Sequence, residues 1–172
     1  MVLFVIGVTF ASTSFTGAQP LKERHTNDFF SLQFVLTISW PAIDLDQPIS
    51  PGETREVHLT ISSFVTHGVF GKILLRLLSG TTFLIQLMIA EKSEWCTVWF
   101  LQEYLTGFIN PDEVFVQNTS LYIHLNNDAP TNYTLGIVKI QCKAFEKKGP
   151  SNVLTLIQGY ENTFTLCFYS SP

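Results

Sequence analysis

The chain has 172 residues, 46% of them hydrophobic and 13% aromatic, with only 14% charged and a net charge of −4. That is one domain with a short appendage, apolar enough to bury a core, so intrinsic disorder is excluded. Ten Lys and Arg against 14 Asp and Glu leave no basic excess to neutralise a phosphate backbone, so nucleic acid is not an expected partner.

Residues 1–19 begin with an apolar run and continue in small Ser, Thr, Gly and Ala residues. This is the shape of an export signal or anchor, with Thr16 and Ala18 at the −3 and −1 positions of a cleavage site. No Lys or Arg precedes the run, and an N-terminal strand is the other reading, since Val2, Phe4, Ile6 and Val8 alternate. Residues 20–28 read as a polar linker, and 29–172 as the folded domain. Leu32–Trp40 places Leu32, Phe34, Leu36, Ile38 and Trp40 on one side at a period of two, which predicts a strand. Pro51-Gly52 marks a tight turn. Beyond it Val57, Leu59 and Ile61 alternate with Glu56, His58 and Thr60.

Phe70–Leu78 and Thr82–Ala90 fit buried strands or short helices; Ser79-Gly80 between them argues for a hairpin. Trp95–Glu103 reads as one aromatic strand. Ser120–Leu125 sets Leu121, Ile123 and Leu125 inward and Tyr122 and His124 outward. In Tyr133–Phe145, Val138, Ile140, Cys142 and Ala144 face the core. The last strand, Asn162–Tyr169, turns Phe164, Leu166 and Phe168 inward. Seven to nine short strands must close a sandwich or barrel to bury a sheet face. The expected fold class is therefore all-β.

The three cysteines, Cys96, Cys142 and Cys167, leave at least one unpaired. Cys142 shares the inward parity of its strand and Cys167 the outward parity of its own, which disfavours a bridge between them. The four histidines are scattered, and none stands at metal-ligand spacing from a cysteine. No GxSxG elbow and no glycine-rich phosphate loop is present. Carboxylate pairs Glu91/Glu94 and Asp112/Glu113 sit beside turns and read as solvated charges. No catalytic residue, metal or cofactor is expected.

Two N-x-[ST] sequons, at Asn118 and Asn132, are candidate glycosylation sites if the chain is exported. The aromatic cluster Trp95, Trp99, Phe100 and Tyr104 is either core or an interaction patch for proteins or sugars.

Pro51-Gly52-Glu53-Thr54 before one strand, Asp128-Ala129-Pro130 before Tyr133-Thr134, and the closing Glu161–Leu166 together resemble immunoglobulin-like sandwiches of prokaryotic, especially archaeal, S-layer-like cell-surface proteins. The resemblance spans about a fifth of the chain and rests on turns. It implies an immunoglobulin-like antiparallel β-sandwich, an extracellular location and a structural or adhesive role. Its partners would be like modules or envelope proteins; the open edges of a sandwich separately suggest strand addition into a homo-oligomer or filament, and the aromatic cluster suggests glycans. The resemblance names no ligand. It also implies that Tyr133 is a corner tyrosine and that Asp128 caps its turn.

Overall fold

The structure is a computed structural model that describes residues 32–67, 73, 82–108, 114–148 and 153–171. The readings of residues 1–19 and 20–28, of 70–78 apart from Ile73, and of Asp112 and Glu113, lie outside the described residues.

The described chain is nearly all strand. β1 (Leu32–Ser39) leads through a short 3-10 turn, Ala42–Asp44, to β2 (Thr54–His67). Then follow β3 (Thr82–Lys92), β4 (Cys96–Phe100), β5 (Tyr104–Phe108), β6 (Phe115–Leu125), β7 (Leu135–Lys148) and β8 (Val153–Tyr169). They form two antiparallel four-stranded sheets, ordered β1-β2-β6-β4 and β5-β3-β7-β8. In the lettering of immunoglobulin sandwiches these are A-B-E-D and C′-C-F-G. One departure is topological. The strand beside β6 precedes the strand beside β3 along the chain, so β4 and β5 lie in different sheets although only residues 101–103 separate them.

Each sheet turns one alternating set inward. β2 contributes Val57, Leu59 and Ile61; β6 contributes Leu121, Ile123 and Leu125. Phe83, Ile85 and Leu87 of β3 meet Val138, Ile140, Cys142 and Ala144 of β7 and Phe164, Leu166 and Phe168 of β8. All belong to one buried cluster drawn from both sheets. Each Val, Leu, Ile or Phe among them contributes roughly 1.5–3 kcal/mol relative to an exposed position, which fixes the register against a one-residue slip. The expected grouping of Val138, Ile140 and Cys142 with Phe164, Leu166 and Phe168 is present, with Ile140 directly opposite Phe164. Cys96 and Cys142 are buried, Cys167 is exposed, and all three are free thiols.

Local chemistry sets the turns. Ser50-Pro51-Gly52-Glu53 closes with the Glu53 N–H donating to the Ser50 carbonyl at 2.9 Å. Gly52 takes φ +80°, which the third position of this turn demands and glycine supplies without strain. At the same end of the sandwich the Ala129 N–H donates to the Asn126 carbonyl at 3.0 Å, so the turn is held by backbone, and the expected cap Asp128 stands exposed. Tyr133 is not a corner tyrosine. It is 59% exposed with φ +48°, so its ring points away from the core. That corner is tied instead by Ser170, whose N–H donates to the Thr134 carbonyl at 3.1 Å and whose hydroxyl accepts the Thr134 N–H at 3.0 Å. Ile49, fully buried, pairs with Ser170 in a parallel bridge and stitches the segment before β2 to the end of β8.

Candidate functional site

The expectation of a single aromatic strand over Trp95–Glu103 places four aromatics side by side, and the crossing at residues 101–103 separates them. Trp95 is half-buried and packs edge-on against Phe168, with centroids 5.5 Å apart. Phe100 is buried in the core. Tyr104 is exposed on the second sheet, where its hydroxyl accepts the Gln86 side-chain N–H at 3.1 Å. Trp99 alone of the four faces outward on the first sheet, 42% exposed.

Trp99 has a partner that residue spacing does not reveal. It lies opposite Tyr122 in the β4–β6 register, and Tyr122 lies opposite Glu56 in the β2–β6 register. Ring and carboxylate therefore form one cross-strand row. The Trp99 and Tyr122 rings stack with centroids 5.5 Å apart and planes 18° from parallel. Among the described residues β4 is the edge of its sheet, and no strand lies beyond Trp99.

The Tyr122 hydroxyl donates to Glu56 Oε1 at 3.2 Å. His58, two residues along β2 and so on the same face, places Nε2 3.9 Å from that oxygen. Its other nitrogen, Nδ1, lies 3.1 Å from Asp44 Oδ2, which also accepts the His58 backbone N–H at 2.8 Å. Asp44 reaches this place because the 3-10 turn folds back over β2. Farther along, Thr54 Oγ1 and His124 Nδ1 are 2.9 Å apart, and the Thr60 hydroxyl donates to Asn118 Oδ1 at 3.0 Å.

The electrostatics of the row follow from these contacts. The Ser120 hydroxyl, then Tyr122 and the field of His58, hold the Glu56 carboxyl below its ordinary value against opposing burial and Asp44. Glu56 is thus an ionised acceptor at neutral pH. Tyr122 is pushed up, first by desolvation and then by that carboxylate, so its phenol stays a donor. Burial pushes the Cys142 thiol far up and the Cys96 thiol up, so neither presents a ready thiolate. The Ser120 hydroxyl, beside the row, is engaged by Glu56. Among the described residues no group of three His, Cys, Asp or Glu side chains is arranged to hold a metal ion. Of the other expected site residues, Asn118 lies within this face and Asn132 lies exposed in the turn between β6 and β7. Glu91 is paired with Lys139 at 2.5 Å.

The outward parity of Glu56, His58, Tyr122 and His124 is readable from sequence; their assembly with Asp44 and Trp99 is not. Shared alternation on the two strands was the available signal, and it lacked the register.

No family model and no curated protein matches the chain. Among solved structures, one described as "AvmM Catalyzes Macrocyclization in Alchivemycin A Biosynthesis" is similar over 81% of this chain and 89% of that chain, at 9% identity and a TM-score of 0.36.

Proposed function

We propose that the protein is a non-catalytic binding module of an exported, cell-surface protein, and that the outer face of its first sheet takes a neutral carbohydrate. One observation carries the reading: an exposed Trp99 ring stacked on Tyr122, in one row with the ionised Glu56 and beside His58. A sugar ring offers an apolar C–H face and a rim of hydroxyls. The first suits an aromatic surface, and the second suits acceptors and donors fixed at its border. Among the described residues the outward side chains of this sheet include no Lys or Arg, which favours a neutral ligand over an acidic one. The apolar leader-like run and the resemblance to prokaryotic surface sandwiches support the exported setting.

Binding of neutral hexose and N-acetylhexosamine oligomers, followed by Trp fluorescence and calorimetry, tests it. Trp99→Ala should weaken binding by tenfold or more, while Tyr104→Ala on the other sheet leaves it unchanged. Equal binding by the Trp99 variant, or no binding by the unaltered protein, overturns the reading.

A structural or adhesive role through strand addition is favoured by a different observation. Among the described residues β8, 17 residues long, is an edge strand, and the parallel bridge at Ser170 occupies only its end. A neighbouring copy would pair with its open N–H and C=O groups. Light scattering at rising concentration decides this second reading, because a strict monomer excludes it.

A further inference from the structure

The two sequons stand in opposite structural settings, although the sequence presents them alike. Asn118-Thr119-Ser120 lies inside β6 and is laddered with Thr60, Leu59 and His58 of β2; on its other side the β4 ladder stops at Leu121, and the Leu101 N–H donates to the Ser120 carbonyl at 2.8 Å. The Asn118 residue itself faces Thr60 in the ladder, and its side-chain oxygen accepts the Thr60 hydroxyl. Thr119 is buried and its hydroxyl donates to the Gln102 carbonyl at 3.4 Å. Ser120, which supplies the sequon hydroxyl, is 7% exposed and bonded to Glu56. An enzyme that must grip both the amide and that hydroxyl would have to strip this stretch of β6 from β2 and break its bonds to Leu101 and Gln102.

Asn132-Tyr133-Thr134 occupies the irregular segment before β7. Asn132 is exposed, and no hydrogen bond engages its side chain among the described residues. Tyr133, in the left-handed region at φ +48°, turns the chain sharply between the two sequon positions. Thr134 is anchored to Ser170 through its backbone N–H and C=O, and among the described residues no hydrogen bond engages its hydroxyl. The segment is thus looped and presented without unfolding. It sits at the end of the sandwich before β7, whereas Asn118 stands on the outward parity of the face that carries Trp99 and Tyr122.

We propose that Asn132 is an N-glycan acceptor and that Asn118 is not; in the cell this rests on the exported setting argued above. In the reaction the Asn132 side-chain nitrogen forms a bond to the anomeric carbon of a lipid-pyrophosphate-linked oligosaccharide. The carbon–oxygen bond to the pyrophosphate breaks, the lipid pyrophosphate leaves with that electron pair, and the amide nitrogen gives up one proton.

The test uses folded, purified protein, so it does not depend on whether the chain is exported. The protein is incubated with a single-subunit oligosaccharyltransferase accepting N-x-[ST] and a lipid-pyrophosphate-linked oligosaccharide, and its intact mass is measured. The expected result is a gain of one glycan, abolished by Asn132→Gln and by Thr134→Ala and retained in Asn118→Gln. No gain, two glycans, or a gain abolished by Asn118→Gln overturns the proposal.

Discussion

The two outer faces of the sandwich are built from the same alternation and present opposite chemistry. On the second sheet the outward carboxylates have lysines. Lys139 pairs with Glu91 at 2.5 Å, Lys143 with Glu161 at 3.7 Å, and Gln141 also donates to Glu161. On the first sheet no lysine or arginine among the described residues stands at the carboxylates of Glu56 and Asp44; their partners are an imidazole, a phenol, the Ser120 hydroxyl and a backbone N–H. A face whose charges are already matched is finished as a solvated surface. A face that holds an ionised acceptor beside stacked rings has recognition capacity left over, which is why function is assigned to the first sheet.

The comparison holds for outer faces only, and the largest predicted effect checks that limit. The inner faces are equivalent, so Leu59→Ala in the first sheet and Ile140→Ala in the second should each destabilise by about 2–5 kcal/mol in denaturant unfolding. A loss below about half a kcal/mol at either site means that sheet does not share the core.

The next effect tests how tightly the second sheet is packed at its inner edge. Gly136 lies opposite Phe168, and a Cβ there would press on the Phe168 ring and come within 2.7 Å of Trp95. Gly136→Ala should cost about 1–3 kcal/mol by overpacking, and should also shift Trp95 fluorescence. Unchanged stability would mean that Trp95 and Phe168 are free to move apart.

A smaller effect separates the two outer faces directly. Lys139→Ala removes one partner of an exposed pair on the second sheet and should change stability by less than about 1 kcal/mol. It should leave carbohydrate binding unaltered. Any loss of binding in that variant shifts the ligand to the second sheet and breaks the contrast.

Sequence alone reveals the inner faces and conceals the outer ones, for a physical reason. Burial leaves a period-two trace in each strand by itself, so Val57-Leu59-Ile61 and Val138-Ile140-Cys142 announce their parity without a partner. The outer row is made of pairings between strands distant in the chain: Glu56 opposite Tyr122, and Tyr122 opposite Trp99. Residues 101–103 hide a change of sheet, because alternation continues through Trp99 and Phe100 up to the crossing and says nothing of where the next strand goes. Tyr133 misleads differently: a tyrosine before a strand fits a corner, but a left-handed backbone turns it outward.

The smallest predicted effect concerns a carboxylate at the rim of the first sheet that does have its own cation. Glu53 Oε1 accepts from Arg55 at 2.7 Å, and its Oε2 accepts the Ser50 N–H at 3.0 Å. Burial pushes this carboxyl up, but the Ser50 N–H and the Arg55 guanidinium outweigh it, so it titrates below its ordinary value. A lowered folded-state value means the unfolded chain binds the proton more readily. The stabilisation is therefore fully present above the unfolded value near 4.5 and is lost as pH falls through the lower folded value. Over a third of the Glu53 side chain is exposed, so solvent screening keeps the contribution under about 1 kcal/mol. Glu53→Gln should destabilise slightly at pH 7, and the difference from the unaltered protein should shrink as the solution is acidified below pH 4. Denaturant midpoints at pH 7 and pH 3 measure it. A gap that widens on acidification would mean that the turn, and not the ion pair, depends on the carboxylate.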